Sequence, residues 1–537
     1  MSPYLILIPI MLPLLGGFSM LFLKIKTDRA RNFYAEMTAV LTSVSVFLLI
    51  FFGSRDRINV YSFTKGFAIN FRIDGLSCLF AGMISVMWPL VLLYAFEYMK
   101  DAGRKNSFFA FYVMSYGITL GIAFAADILT MYVFYEMLTL VTIPLVSHNQ
   151  DHAGMFAGRR YAAYVIGGAS LAFIAVVMVT VYGNGGAFTY GGVLTEAADK
   201  GLMQLIFLFG FMGFGVKAAV FPLHGWLPQA TVAPTPVTAL LHAVAVVNSG
   251  VFAIMRLTYY SYGPAYIAGT FVQDICLALA AFTTVFGAAM ALRERHLKRR
   301  LAYSTVSNLS YMLFGVMLLT EDGFRAGMAH MLFHSIIKMS LFLCAGAFIR
   351  VTGKEYIYEM NGAGRRMPFT FAFYTIGAFS LTGVPLFCGF VSKWNLLIAG
   401  AAAGTPWAVA GTACLLIAAF LCAIYTISVS IRAFFPMKKE SAAGMTQAGR
   451  MQAGMTQAGR TQAGMTPAGR MQAVMTQTEK TQPESIKAAV PESESGIKEA
   501  GLLMLAPIGI FAALNIIFGV WPAPVLDFLG RIAAGLI

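Results

Sequence analysis

The chain has 537 residues, of which 58% are hydrophobic and only 12% are charged, and its mean hydropathy is +0.72. A soluble domain has roughly 25% charged residues, so this composition excludes a water-soluble globular protein. The formal net charge of +14 does not indicate nucleic-acid binding, because the positive residues stand in short loops after hydrophobic runs.

Hydrophobic runs of bilayer-spanning length follow one another along the chain. They occur at about 3–23, 33–53, 75–99, 108–126, 128–147, 161–182, 203–221, 236–260, 267–291, 302–320, 327–349, 370–398, 407–433 and 501–521. We therefore predict an all-α polytopic membrane protein with about 14 transmembrane helices. The first run is long enough to span the bilayer and reads as a helix rather than a cleavable signal peptide.

Basic loops predict the orientation of these helices in a cell (inner or cytoplasmic) membrane. With the N-terminus outside, five basic loops fall on the cytoplasmic side, as the positive-inside rule requires. They are "KIKTDRAR", "KDAGRK", "AGRRY", "RERHLKRR" and "RVTGKEYIYEMNGAGRR". The loop 53–72 is the exception, since it holds four basic residues on the outer side.

Between about 438 and 498 the composition changes from apolar to polar. A ten-residue repeat starts at Met445 in "MTQAGRMQAGMTQAGRTQAG" and has no sustained apolar face. Such a segment cannot bury enough apolar surface to fold. We predict a disordered cytoplasmic insert, dispensable for function, between the last two helices.

Two of the predicted helices are interrupted. The seventh ends in "FPLHGWLPQATVAPTP", whose prolines prevent a continuous helix. The twelfth contains "LTGVPLFCGFVSK", with Gly383, Pro385 and Gly389 in the middle of the run. Irregular backbone at membrane depth is tolerated where protein or a water-filled cavity satisfies it, and paired broken helices are typical of transporters built from inverted repeats.

Several ionisable residues lie inside the hydrophobic runs, where a charge costs at least about 2.5–3.5 kcal/mol. They are Glu136, Lys217, His242, His330, His334, Lys338 and Lys393. In "GMAHMLFHSIIKMSLFLCAG", His330, His334 and Lys338 recur at every fourth position and share one helix face.

Each of these residues also has a simpler interpretation. Glu136 is alternatively a packing residue, and Lys217 or Lys393 a lysine that reaches the membrane surface. His242 is alternatively a hydrogen-bonded core histidine. The pair His330 and His334 is alternatively a metal site, although no third ligand is evident, and His330 alternatively lies at the outer interface.

As a set, these residues favour proton transfer. Histidine titrates near neutral pH, and a desolvated lysine can release its proton in the same range. The six cysteines are scattered and show no iron–sulfur or zinc spacing, so no cofactor is expected. A row of titratable groups joined by water is a relay across the protein.

The chain resembles the antiporter-like subunits of respiratory complex I, multisubunit cation/proton antiporters and membrane-bound hydrogenases. The resemblance covers about 74–432, and four motifs in the family's order carry it. They are "KAAVFPLHGWLPQATVAPTPVTALLHA", "LKRRLAYSTVSNLSYM", "HMLFHSIIKMSLFLCAGAFI" and "GVPLFCGFVSKWNLL".

The resemblance implies two inverted five-helix repeats with broken helices 7 and 12. It divides the chain into N-terminal helices 1–3, a first and a second antiporter-like half, the insert, and a C-terminal helix, in that order: 1–107, 108–260, 261–435, 436–499 and 500–537. It also implies a proton relay without a redox cofactor. In that relay, Glu136 and Lys217 form the Glu–Lys pair and Lys338 is the central lysine. Lys393 is the terminal residue, and His242, His330 and His334 are relay histidines.

The chain departs from the family's pattern in two places. Asn248 stands where several family members carry a lysine in the eighth helix, and "WLPQAT" replaces the common "WLPDAH". Because the sequence ends soon after the fourteenth predicted helix, we also expect it to lack the long lateral helix of the largest complex I paralogue, which favours a shorter subunit or one from a hydrogenase or antiporter complex. These departures leave the paralogue, and the complex to which the chain belongs, open.

These observations predict a proton-translocating membrane subunit of a redox-driven, complex I-type assembly. Its partners would be other membrane subunits, including paralogous antiporter-like subunits, and the bilayer. The alternatives are a subunit of a multisubunit Na⁺/H⁺ antiporter without redox chemistry, and a membrane metalloenzyme using His330 and His334. The same residues would serve sodium transport.

Overall fold

Helices make up most of the structure, a computed structural model that describes residues 2–23, 25–64, 67–195, 199–436 and 497–537. The predicted insert at 436–499 and its repeats therefore lie almost wholly outside the described residues. Residues 1–434 and 497–537 belong to one unit. The helical class predicted from the hydrophobic runs is confirmed.

The helices follow the chain in this order. In the first part they are α1 Leu7–Phe22, α2 Asp28–Phe52, α3 Gly75–Tyr98, α4 Lys105–Phe124, α5 Ile128–Val146, α6 His152–Tyr182 and α7 Lys200–Gly215. Then come α8 Trp226–Gln229, α9 Thr235–Ala243, α10 Val246–Met255, α11 Pro264–Ile267, α12 Phe271–Arg293, α13 Leu297–Met317 and α14 Glu321–Thr352. The last are α15 Ala363–Arg366, α16 Pro368–Thr382, α17 Cys388–Ala402, α18 Pro406–Phe434, α19 Leu502–Val520 and α20 Ala523–Ala533.

Among the described residues, eleven helical segments are long and apolar enough to cross a membrane. The other three predicted spans correspond to the shorter α7, to α13 with its polar face, and to the divided pair α16 and α17. The count of 14 and the inverted repeats stay predictions.

A small β-hairpin fills the loop that was the exception to the charge rule. Strands β1 Ile58–Thr64 and β2 Phe67–Phe71 pair antiparallel, with Ile58 opposite Phe71. The backbone N–H of Asn70 donates to Thr130 Oγ1 at 3.0 Å, which fixes the hairpin against the start of α5. These strands were not predicted from the sequence.

Both predicted helix interruptions are present. Helix α7 stops at Gly215, earlier than the predicted end near 221, and no long helix resumes before α9. Helix α16 ends at Thr382, where Gly383 takes a left-handed conformation (φ +97°), and α17 begins at Cys388. Gly389 allows α17 to approach α16, because a Cβ there would lie 1.8 Å from the Ser380 carbonyl oxygen.

The predicted eighth span, 236–260, contains α9 and α10 and is also irregular. No pattern in the sequence indicated this irregularity. The α-helical conformation of the span is interrupted at Val244 (φ −132°, ψ −62°) between α9 and α10, and the chain continues as a π-helix over Arg256–Tyr262. The whole segment Thr235–Tyr262 is enclosed by protein, and most of α14 is buried as well. These two enclosed segments pack against each other and carry most of the predicted site.

Candidate functional site

Lys217 lies in the irregular chain just after α7, not in a helix. Its side chain is fully buried, its Nζ donates to the Tyr135 carbonyl, and it lies 3.4 Å from the centre of the Tyr135 ring. Gly250 of α10 lets the helix approach this segment, because a Cβ there would lie 2.5 Å from the Ala218 nitrogen. The interpretation of Lys217 as a lysine that reaches the membrane surface is therefore wrong.

Glu136 follows Tyr135 on α5 but forms no direct ion pair with Lys217 in the described structure. Its Oε1 is buried and has no hydrogen-bond partner within the described ranges. The two charges nevertheless interact electrostatically through space. Glu136 and Lys217 therefore act on each other at a distance and do not form a closed salt bridge among the described residues.

His242 lies at the end of α9, beside the interruption at Val244. It is fully buried, its ring lies 5.0 Å from that of Phe342 on α14, and neither ring nitrogen has a hydrogen-bond partner among the described residues. The interpretation of His242 as a core histidine with hydrogen bonds inside the protein is therefore not supported. Both nitrogens are free to bond with water or with a neighbouring titratable group.

Asn248 of α10 links the predicted eighth span to α14 by a hydrogen bond. Its Nδ2 donates to the Ala243 carbonyl and to Ser335 Oγ, both at 2.7 Å. The first of these bonds uses a carbonyl left free by the interruption between α9 and α10. Where a lysine would place a charge, this chain has a neutral polar bridge.

Lys338 occupies the centre of α14 and is held by α13. Its Nζ donates to the Leu301 carbonyl at 2.9 Å and to Ser304 Oγ at 2.7 Å. Tyr425 of α18 donates to the same Ser304 oxygen at 2.9 Å. An ammonium with neutral acceptors, and no carboxylate in contact, is suited to alternate between charged and neutral forms.

His334 and His330 continue the same face of α14, with ring centres 5.9 Å apart. In the part of the chain that the structure describes, neither ring nitrogen of His334 has a hydrogen-bond partner. His330 is 1% exposed and faces Ser392 Oγ at 2.9 Å and Asn308 Oδ1 at 3.3 Å. His330 is thus enclosed by protein, and its position relative to the outer interface stays a prediction.

Lys393 lies on α17 just after the second interruption. Its Nζ donates to the carbonyls of Leu381 and Thr382, at 2.5 and 3.3 Å, and lies 5.2 Å from the centre of the Tyr311 ring. These carbonyls are free because α16 ends there. Only 5% of Lys393 is exposed, so the interpretation of Lys393 as a lysine at the membrane surface is wrong as well.

The second half of the site is thus a connected row of polar groups. His330 contacts Ser392, the residue before Lys393, while the Tyr311 ring lies beside both His330 and Lys393. Both lysines at the interruptions, Lys217 and Lys393, donate to backbone carbonyls and lie beside an aromatic ring. Within the described residues, no three His, Cys, Asp or Glu side chains are grouped as metal ligands.

Neutral side chains that no motif in the sequence indicated hold these groups. They are Tyr135, Ser304, Asn308, Tyr311, Ser335, Ser392 and Tyr425. Hydroxyl and amide side chains are frequent in membrane helices, so no spacing in the sequence distinguished these from others.

A buried ion pair was also missed. Arg256 is fully buried in the π-helix, and its guanidinium donates to both carboxylate oxygens of Asp74, at 2.6 and 2.8 Å. Burial acts to raise the pKa of Asp74, but the Arg256 charge and the hydrogen bonds from Arg256 and Ser77 together outweigh it and lower that pKa to about 2. An arginine within the predicted run 236–260 was the available signal.

Two family profiles match the chain. Residues 125–420 match "NADH:quinone oxidoreductase/Mrp antiporter, TM", and residues 61–109 match "NADH-Ubiquinone oxidoreductase (complex I), chain 5 N-terminus". The first match includes all seven predicted site residues.

Two curated proteins are similar over most of the chain. A probable K⁺/H⁺ antiporter component of Rhizobium meliloti is 31% identical over 61% of this chain and 32% of its own length. NADH-quinone oxidoreductase subunit L of Mycobacterium tuberculosis is 31% identical over 68% of this chain and 58% of its own length. The alignments thus span about a third and about three fifths of these two proteins.

The fold is also similar to a solved structure. A chain of the membrane-bound sulfane sulfur reductase, an archaeal respiratory membrane complex, superposes with a TM-score of 0.78. The superposition covers 99% of this chain and 97% of that chain at 22% identity. At this identity the likeness concerns the fold.

Proposed function

The chain belongs to the NADH:quinone oxidoreductase/Mrp antiporter family of membrane proteins, and from that premise we propose that it translocates protons as an antiporter-like subunit of a complex I-type redox-driven pump. The assembly would be an NADH:quinone oxidoreductase or a membrane-bound hydrogenase. The chain itself would bind no redox cofactor.

The observation that carries this proposal is the set of buried titratable groups between the two helix interruptions. Lys217, His242, His334 and Lys338 are each fully buried, and Lys393 is nearly so. None of these groups touches a carboxylate in the described structure. Such groups are expensive in a membrane protein and are functional by default.

The proposed mechanism is electrostatic. A change in a neighbouring membrane protein of the complex modifies the influence of Glu136 on Lys217, and the lysine proton becomes free to leave. Lys217 passes it to a ring nitrogen of His242, with water filling the gaps. Lys338 and the row of His334 and His330 then carry it toward Lys393.

Neutral imidazole suits the intermediate steps because one nitrogen accepts a proton while the other donates one. The free nitrogens of His242 and His334 leave both positions available. Moving one charge against 100 mV costs about 2.3 kcal/mol. Redox chemistry in partner subunits would supply this energy.

We place the chain in the cell (inner or cytoplasmic) membrane, with its N-terminus outside and the insert in the cytoplasm. The basic loops support this orientation, because the strongest of them would then share the cytoplasmic side. Other membrane subunits, including paralogous antiporter-like subunits, would be its partners.

The test is proton transport by the purified assembly in lipid vesicles, read with a pH-sensitive dye. Lys217→Ala or Glu136→Ala should abolish proton transport while the complex still assembles. Lys200→Ala is the matched control, since Lys200 is exposed at the start of the same helix α7. Normal transport by both Lys217→Ala and Glu136→Ala would overturn the mechanism.

The similarity to the K⁺/H⁺ antiporter component favours one alternative, a cation/proton antiporter without redox chemistry. Partners that co-purify with the chain distinguish the two. Redox subunits would support the pump, whereas small membrane subunits alone, with transport driven by an imposed ion gradient, would support the antiporter.

A further inference from the structure

A buried lysine that the proposed relay does not use stands at the start of α13. Lys298 is 5% exposed, and its Nζ donates to the Ala233 carbonyl at 3.1 Å. The first turn of a helix carries the positive end of the helix dipole, which disfavours a cation there. Burying a charge at that position for packing alone would be unfavourable.

An acid and a histidine that reach the surface lie close to this lysine in the fold. His296 Nε2 and Glu355 Oε2 are 3.0 Å apart, and their side chains are 12% and 44% exposed. The backbone fixes them beside Lys298, because the Leu297 N–H donates to the Glu355 carbonyl at 3.0 Å. Glu355 is thus held in place and open to solvent.

The electrostatics of Glu355 keep its carboxylate in the ionised form. The hydrogen bond with His296 is the main cause that lowers the pKa of Glu355, and Lys298 contributes in the same direction. The carboxylate is therefore ionised at neutral pH. It presents a negative charge to water on the side where the basic loops lie.

Lys298 also lies near residues of the proposed relay. The His242 ring lies within electrostatic range of both Lys298 and Lys338. Lys338 also binds the carbonyl of Leu301, which is one helical turn beyond Lys298 on α13. The chemistry of His242 suits a proton carrier, because neither of its ring nitrogens has a hydrogen-bond partner among the described residues.

We propose that Glu355, His296 and Lys298 form a proton-input site that supplies Lys338 through His242. The proposal rests on the proposed function, which it deepens by naming where protons enter. The Glu355 carboxylate takes a proton from water and passes it to neutral Lys298. The ammonium so formed gives it to a free nitrogen of His242, which passes it to neutral Lys338. Each donor returns to its starting form, so the protons balance.

The experiment uses the complete assembly in vesicles and three variants. Lys298→Ala should slow proton transport by about tenfold or more, because one transfer step is lost. Lys298→His should restore transport in part. Its transport rate should depend on pH around the ordinary pKa of imidazole, about 6.5. Lys354→Gln is the matched control, since it removes an exposed charge next to Glu355.

The outcomes separate a relay from a structural role. Wild-type transport by Lys298→Ala would overturn the input site, and so would equal loss in Lys298→His and Lys298→Ala at every pH. If Lys217→Ala is inactive while Lys298→Ala is not, the proposed function stands and the input site fails. If the wild-type assembly moves no protons, both fail.

Discussion

The ammonium of Lys217 lies 3.4 Å from the centre of the Tyr135 ring and binds the carbonyl of the same residue. One residue of α5 therefore holds the lysine through its ring and its backbone, while the next residue, Glu136, acts from a distance. The position of the charge is fixed independently of the carboxylate that is proposed to control it. This separation allows the influence of Glu136 to change without the lysine being released from its place.

We predict that Tyr135→Leu weakens this site and that Tyr135→Phe does not. The loss of a desolvated cation–π contact costs about 2 kcal/mol, so the leucine variant should unfold at a lower temperature and transport protons more slowly. Phenylalanine keeps the ring and removes only the hydroxyl bond to the Phe214 carbonyl. Equal stability and transport in both variants would contradict the role of the ring. Thermal unfolding and vesicle transport measure the two effects.

We predict that Ser304→Ala slows proton transport. The variant removes one of the two acceptors of Lys338, and a hydrogen bond to a charged group contributes about 1.5–3 kcal/mol. If the charged form of Lys338 becomes less stable by this free energy and the barrier to proton transfer rises by the same amount, transport slows by about ten- to a hundredfold. Ser304→Thr keeps the hydroxyl and is the control. Transport by Ser304→Ala at the wild-type rate would show that the serine does not assist the lysine.

We predict opposite effects of alanine at two helical glycines. Gly389→Ala should destabilise the protein, because the added Cβ would lie 1.8 Å from the Ser380 carbonyl oxygen and force α16 and α17 apart. Gly167→Ala in α6 is the control, since nothing lies within 4 Å of a Cβ there. That variant should be neutral or more stable by up to about 1 kcal/mol. Thermal unfolding of the assembly distinguishes them, and a stable Gly389→Ala variant would contradict the close approach.

We predict that the Asp74–Arg256 ion pair makes the free energy of unfolding depend on pH in the acidic range. The folded-state pKa of Asp74, about 2, lies below the ordinary value of 3.8, so the stabilisation is complete above the ordinary value. It is lost as the pH falls from about 4 through about 2. Asp74→Asn should remove this part of the acid dependence and, by leaving Arg256 without its partner charge, cost about 3–5 kcal/mol at neutral pH.

The control for this pair is Asp56→Asn, which removes an exposed carboxylate from the neighbouring loop. Unfolding is followed between neutral pH and about pH 2. An Asp74→Asn variant with wild-type stability at neutral pH would contradict the structural role of the pair.

We predict that deletion of 445–474 leaves proton transport and assembly unchanged. The repeats are polar and have no apolar face with which to join a core. Transport by vesicles that contain the deletion variant measures the effect. A variant that assembles but fails to transport would show that the repeats serve the mechanism.

The sequence by itself determined the membrane class, the two interrupted helices and the seven titratable residues. Length, apolar composition and proline placement dictate these features locally: a run of about 20 apolar residues must cross or lie within a bilayer, and a proline cannot continue a helix.

Only the tertiary structure decided how those residues are held. It left Glu136 and Lys217 without a direct ion pair among the described residues, and it buried His330. It also interrupted the predicted eighth span at Val244, between α9 and α10, where no proline or glycine marks the break. It also brought Lys298 beside Glu355. The physical reason is that a lysine or histidine inside a membrane protein takes its properties from the carbonyls, hydroxyls and rings around it. Those groups come from helices far apart in the chain, as when Ser304 and Tyr425 meet at Lys338.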